Sequence, residues 1–249
     1  VLRGQVHGCA HHMQTPAMIG AAMALRGVLE SSDQPFEIHV IGTPSEESLD
    51  GGKNEMAAHG GFDHIDVAFM VHGSTLTQLE TPSLALIEMD VEFHGKTAHA
   101  GIAPYAGRSA VDAVTMLQTG LGLMRNHLKD SSRVSNIVLA GGTAVNSVPD
   151  FAKVKVEIRH SSMAYLESVE QWTREIAQAA AMATQTQVQI TPVAHIYNTT
   201  INDAMGALLM ECAEKFACDG IAPPRKDCGS TDFGAVTHRL PSCCLRVKT

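Results

Sequence analysis

Two adjacent carboxylates, Glu46 and Glu47, stand in Thr43-Pro44-Ser45-Glu46-Glu47-Ser48-Leu49-Asp50-Gly51-Gly52, between a run that reads as a strand and one that reads as a short helix. Neighbouring side chains on an irregular turn point in different directions, so one glutamate can hold a metal while the other faces a water. A Glu–Glu pair alone is also what a solvated acidic turn contains. Cys9 and His11 add a thiolate and an imidazole two positions apart, both good ligands for a borderline-soft divalent metal. His72 supplies a second imidazole. A glutamate beside such a metal can act as general base on a bound water. Glu46 is the candidate base with Glu47 on the metal, and the spacing allows the reverse.

The elements around these residues bring them to one place. Phe36–Gly42 is β-branched, bounded by Pro35 and Gly42, and predicts a strand; Lys53 to His59 predicts a short helix closed by Gly60-Gly61. Thr15 as N-cap and Pro16 at the first helical position predict an early helix with Ala17, Met18, Ala21, Ala22, Leu25 and Leu29 as its buried stripe. Asp66 to Val71 predicts a buried parallel strand with His72 at its carboxyl end. In open α/β sheets ligands bind beyond the carboxyl ends of the strands.

The texture changes near Leu79 to Ser83. Strands are predicted over 85–93, 135–140, 152–158 and 187–191, and helices over 109–128 and 163–184, a β-α-β-β-α-β order of the ferredoxin-like split kind. The chain thus divides into residues 1–80, 81–195 and 196–249, the last part returning to the first domain through a helix over 202–216 and the polar turn Gly229 to Gly234. Met18, Met23, Met116 and Met124 are expected in cores; His39 and His64 are taken as structural.

With 249 residues, 45% of them hydrophobic and 18% charged, the chain can bury a sizeable core and is not a disordered polymer. A formal charge of −8 and 4% aromatic residues argue against nucleic acid and anionic membranes as partners. No apolar run approaches the roughly 20 residues that span a bilayer. Six scattered cysteines fit a reducing, cytoplasmic setting. The chain opens on Val1 and stops soon after an apolar run begins, and reads as an internal stretch of a longer protein.

His7-Gly8-Cys9-Ala10-His11-His12, Pro44-Ser45-Glu46-Glu47, the strand-terminal His72 and Gly95-Lys96-Thr97-Ala98-His99-Ala100-Gly101 come in the order of the M20 metallopeptidases and amidohydrolases. The cysteine-bearing first motif resembles the aminoacylase-like D subfamily. Gly229-Ser230-Thr231-Asp232 is similar to the branch holding aminobenzoyl-glutamate hydrolase and the M20 domain-containing protein 2 dipeptidases. The resemblance implies an α/β layered metallohydrolase domain with an inserted ferredoxin-like α+β domain serving as lid and dimer contact. It implies two divalent metals, zinc or manganese, held by Cys9, His11, Glu47 and His72, with Glu46 as general base. His99 matches a lid histidine that reaches a partner subunit's site and polarises the scissile carbonyl. Asn146 and Arg159 match positions that grip a substrate carboxylate.

The implied activity is hydrolysis of the amide bond of small N-acyl amino acids or dipeptides, by a homodimer. The chain departs from the family pattern at Ala10, where glycine is usual, and at His12, where Asp or Asn is usual; a C-terminal metal-site histidine has no counterpart. Ala10 is a mild change only where its backbone does not need positive φ. Those departures favour an alternative, a catalytically silent M20-like binding or assembly protein. A thiol enzyme using Cys9 with a histidine is a third reading, which leaves the glutamate pair and His72 without a role.

Overall fold

The computed structural model describes residues 8–48, 51–217, 220–225 and 229–249. His7, Leu49, Asp50, Cys218 and Cys228 lie outside the described residues. The chain divides into two compact units. One comprises Val1–Glu46, Gly51–Ser83 and Thr199–Thr249; the other comprises Leu84–Asn198, with the short stretch Glu47–Asp50 counted to it.

The first unit holds a three-stranded sheet built from β1 (Ala68–Ser74), β2 (Gln78–Leu79) and β7 (Ser242–Lys248), in the order β1-β7-β2. β1 and β7 run parallel and pair His72 with Arg246, so His72 lies inside the strand, two residues short of its end. Around the sheet are α1 (Gln14–Leu29), α2 (Gly52–Ala58), α5 (Asp203–Phe216) and the short α6 (Gly234–Thr237). Its core joins Ala57 and Phe62 to Phe233, Val236, Leu240 and Cys244. Asn202 caps α5 by accepting from the Met205 N–H at 3.0 Å.

Several expectations are corrected. Phe36–Gly42 forms no strand among the described residues; β composition makes a strand only where a neighbour supplies the ladder, and none of the described strands does. α1 begins at Gln14 after a 3-10 turn over His11–Met13, which moves Pro16 into the helix's first turn rather than to its first position. No residue of α1 is fully buried; Met18, Ala22 and Leu29 are half-buried, whereas Ala17, Ala21 and Leu25 are exposed. Met23 and Met116 are exposed too, and only Met124 of the four expected core methionines is fully buried. β7 was not expected as a strand, because Ser242-Cys243-Cys244-Leu245 has neither alternation nor β-branched residues.

The second unit has the order β3 (Ala85–His94), α3 (Ala110–Met124), β4 (Arg133–Ala140), β5 (Phe151–His160), α4 (Met163–Thr184), β6 (Gln187–Ile196). Its sheet runs β4-β5-β3-β6 with every pair antiparallel, the ferredoxin-like split arrangement. The pleat sorts the side chains. Ile87, Met89, Val91 and Phe93 of β3, with Val154, Val156 and Ile158 of β5, face the helices and are buried. Leu117 and Leu121 of α3 and Leu166 of α4 close over them, each worth about 2 kcal/mol of transfer free energy. The opposite face carries a charged ladder, Lys153 to Asp90 at 2.7 Å and Lys155 to Glu88 at 2.5 Å. Ser109 and Ser162 cap α3 and α4. α4 ends on Gln185 at positive φ, with the Thr186 N–H donating to the Ala181 carbonyl, a Schellman-type stop.

Candidate metal centre

Cys9 and His11 are placed by a backbone reversal. Between them Ala10 takes φ 57° and ψ 22°, left-handed, and its carbonyl accepts from the Met13 N–H at 3.0 Å to start the 3-10 turn. The expectation that Ala10 is mild holds only without positive φ, and here φ is positive: the methyl group costs about 1 kcal/mol that glycine would avoid. Gly73 faces it, and a Cβ there would come within 2.5 Å of the Ala10 Cβ. The Ala10 methyl of the first motif therefore packs against the backbone of β1 at Gly73, which sets Cys9 beside His72.

Cys9 Sγ lies 3.5 Å from His72 Nε2. His72 Nδ1 is 2.6 Å from the Gly73 carbonyl oxygen, which can only accept, and 3.3 Å from Arg246 Nη1, which can only donate; the shorter carbonyl contact puts the proton on Nδ1 and leaves Nε2 bare. A backbone carbonyl fixing one imidazole nitrogen while the other meets a metal is the usual support of a histidine ligand. Burial pushes the His72 imidazole below the ordinary histidine range, with the Arg246 and His11 charges acting the same way; the Gly73 carbonyl and Glu80 oppose. Arg246, across the ladder, is held behind the ring by an ion pair with the buried Glu80, whose other oxygen accepts from the Thr81 N–H at 3.2 Å.

His11 is common to two sets of ligand atoms, each set lying within 4.8 Å of one another: Cys9, His11 and His72, and His11, Glu46 and Glu47. Its ring meets that of His72 edge-on at 5.3 Å, and its Nε2 is 3.6 Å from Glu46 Oε2. Glu46 is half-buried and Glu47 exposed. A thiolate, two imidazoles and two carboxylates fit a divalent transition metal as a donor set. His12 belongs to neither set.

Two further predicted residues come together in the second unit. His99 forms an isolated antiparallel bridge with Ser147, and the Ala100 N–H donates to the Asn146 carbonyl at 2.9 Å. The Gly101 N–H donates to His99 Nδ1 at 3.2 Å, which leaves the ring proton on Nε2 as an outward donor. The Gly95 backbone lies so close to the Arg108 carbonyl that a Cβ would collide with it, which explains a glycine at the head of this motif. Arg159 sits on β5 with its guanidinium on Glu157, Nε to Oε1 at 2.7 Å and Nη2 to Oε2 at 3.0 Å.

Sequence reasoning missed Thr231, Lys53, Glu80 and Arg246. Asp232, in the polar turn Gly229 to Gly234, is buried and meets Lys53 twice, accepting from its N–H at 3.0 Å and from Nζ at 2.6 Å. Only the Gly-Ser-Thr-Asp motif offered any signal for these contacts.

Two sets of Cys, His and Glu ligand atoms sharing His11 are the kind of donor arrangement that metallohydrolases use. The chain belongs to peptidase family M20/M25/M40, whose model matches residues 1–248. It is 32% identical over 241 residues to the Xaa-Arg dipeptidase of Mus musculus, covering 94% of this chain and 56% of the relative. It is 33% identical over 205 residues to a p-aminobenzoyl-glutamate hydrolase protein of Escherichia coli (strain K12), covering 80% of this chain and 42% of that one. The crystal structure of an aminobenzoyl-glutamate utilization protein from Klebsiella pneumoniae superposes with a TM-score of 0.68 at 25% identity, over 78% of this chain and 53% of that one. The chain thus spans about half the length of the relatives it matches. No helix among the described residues is long and apolar enough to cross a membrane.

Proposed function

We propose that the protein is a metal-dependent hydrolase that cleaves the amide bond of small N-acyl amino acids or dipeptides, acting as a cytoplasmic homodimer with two zinc or manganese ions. The observation that carries this reading is the pair of ligand sets sharing His11. Similarity to proteins named as a dipeptidase, an aminobenzoyl-glutamate hydrolase and an N-acetyl-L-cysteine deacetylase supports the substrate class. Cys9, Cys212, Cys243 and Cys244 are in no disulfide, which suits a reducing compartment.

Cys9, His11, Glu47 and His72 would hold the metals, which when bound supply positive charge that acidifies a water and polarises the carbonyl. Glu46 takes the proton from the attacking water as its oxygen bonds to the carbonyl carbon. Glu46 then passes that proton to the leaving nitrogen as the C–N bond breaks, releasing a carboxylic acid and an amine. His99, with its proton on Nε2, donates to the developing oxyanion, a contact worth about 3 kcal/mol elsewhere. Asn146 and Arg159 orient the substrate's carboxylate, for which a guanidinium is a bidentate donor.

The test combines metal analysis with turnover of dipeptides ending in arginine, p-aminobenzoyl-glutamate and N-acetyl amino acids. Stoichiometric metal with chelator-sensitive hydrolysis is expected. A metal-free, inactive protein would favour the silent binding role. Activity that survives chelation but is lost on alkylation would assign the chemistry to Cys9.

A further inference from the structure

We propose that Thr231 is a positioning residue for the general base, holding Glu46 by one carboxylate oxygen so that the other faces the ligand cluster. The inference rests on the assignment of Glu46 as base and adds to it the group that aims it.

The two oxygens of Glu46 have different surroundings. Oε1 accepts from Thr231 Oγ1 at 3.2 Å, whereas Oε2 is directed at His11 Nε2, 3.6 Å away. The Thr231 hydroxyl is itself oriented, because its oxygen accepts from the Phe233 N–H at 3.3 Å. With that lone pair engaged, its single proton is directed to the carboxylate. The next residue, Asp232, clamps the N-terminal end of α2 through both contacts to Lys53, whose side chain is 12% exposed against 0% for Asp232. One turn therefore grips the glutamate segment at Glu46 and again at Lys53, from positions 185 and 179 residues away. Ser45, just before Glu46, has φ 59°, a conformation that persists in a non-glycine residue only where its surroundings hold it.

A carboxylate on a surface turn samples several rotamers, and a base must lie within hydrogen-bond reach of the proton it takes. The Thr231 hydrogen bond selects one rotamer and leaves Oε2 as the acceptor. It engages the Glu46 oxygen other than the one nearest His11, so its loss falls on the chemical step.

The experiment compares Thr231→Val and Thr231→Ser in the wild-type and Glu46→Asp backgrounds, reading kcat, KM and bound metal. Thr231→Val should lower kcat about tenfold, the worth of a hydrogen bond to a charged group, with KM and metal content unchanged. Thr231→Ser, which keeps the hydroxyl, should restore most of the rate. In Glu46→Asp, whose shorter side chain forfeits the contact, Thr231→Val should add little. Equal losses in both backgrounds, no loss at all, or a serine variant as slow as valine would overturn the positioning role. If Glu46→Gln keeps turnover, the assignment of the base fails and the inference fails with it. If Glu46→Gln is inactive while Thr231→Val is unimpaired, only the inference fails.

Discussion

Cys9 Sγ and His72 Nε2 lie 3.5 Å apart although 63 positions separate them in the chain. His72 donates Nδ1–H to a backbone carbonyl, so the pair presents a thiol and a bare imidazole nitrogen to the same point. That is the geometry of two ligands for one cation.

Cys9→Ala and His72→Ala should therefore each lower bound metal by at least about half, since losing even a group that supports a ligand costs about 10–100-fold in affinity. Glu46→Gln should keep its metal and lose turnover. Glu47→Gln should lose metal. Metal analysis after gel filtration, with rates on the same samples, separates the roles. If Glu46→Gln sheds metal and Glu47→Gln retains it, the two glutamates exchange functions.

The Ala10 methyl and the Gly73 backbone share one space. Ala10 has φ 57°, so Ala10→Gly should stabilise the protein by about 1 kcal/mol. Gly73→Ala should destabilise it, because the new Cβ meets the Ala10 Cβ at 2.5 Å. In the Ala10→Gly background that penalty should shrink, leaving Thr249 at 3.3 Å as the nearest neighbour. Denaturant midpoints of the four proteins give the coupling. Additive effects would mean the two segments do not press on one another.

These contacts mark what the sequence could and could not disclose. Helix α4 matched its predicted span, Met163–Thr184, because an amphipathic repeat is a local signal, and the structure adds a Ser162 cap at its start. Cys9, His11, Glu46, Glu47 and His72 were singled out by residue types that ligate metals, not by strand ends, since 36–42 forms no strand and His72 lies within β1. Phe36–Gly42 misled because strand composition says nothing about a ladder partner. The stripe on α1 misled similarly, since apolar spacing defines a face without supplying what buries it. Thr231, Lys53, Glu80 and Arg246 act through partners 166 to 185 positions distant. No local pattern encodes such pairings.

The second unit should show a definite acid response. Burial alone would raise the Asp90 carboxyl, but hydrogen bonds and charge from Lys153 and Lys155 outweigh it and hold it below its usual 3.8. The unfolded chain then binds more protons, so stability from this group is present above pH 3.8 and lost as pH falls through the lower folded value. Asp90→Asn should be less stable than wild type near pH 6, with the gap closing below about pH 3.8. A gap constant from pH 6 to pH 2.5, read by urea titration, would remove Asp90 from the acid response.

The last prediction concerns His99. Its ring is held by the Gly101 N–H, Nε2–H is its outward donor, and it lies in the second unit with Asn146, whereas Cys9, His11, Glu46 and His72 lie in the first. If it serves the neighbouring subunit of a homodimer, His99→Ala and Glu46→Gln homodimers should each be nearly inactive. Mixing them under subunit exchange should restore activity, because a mixed dimer holds one site with both residues intact. Random pairing makes half the dimers mixed, each with one good site of two, so recovery should approach about a quarter of the wild-type rate if sites act independently. Subunit exchange is verified separately with tagged copies. Verified exchange without recovery would confine His99 to its own subunit or to the surface.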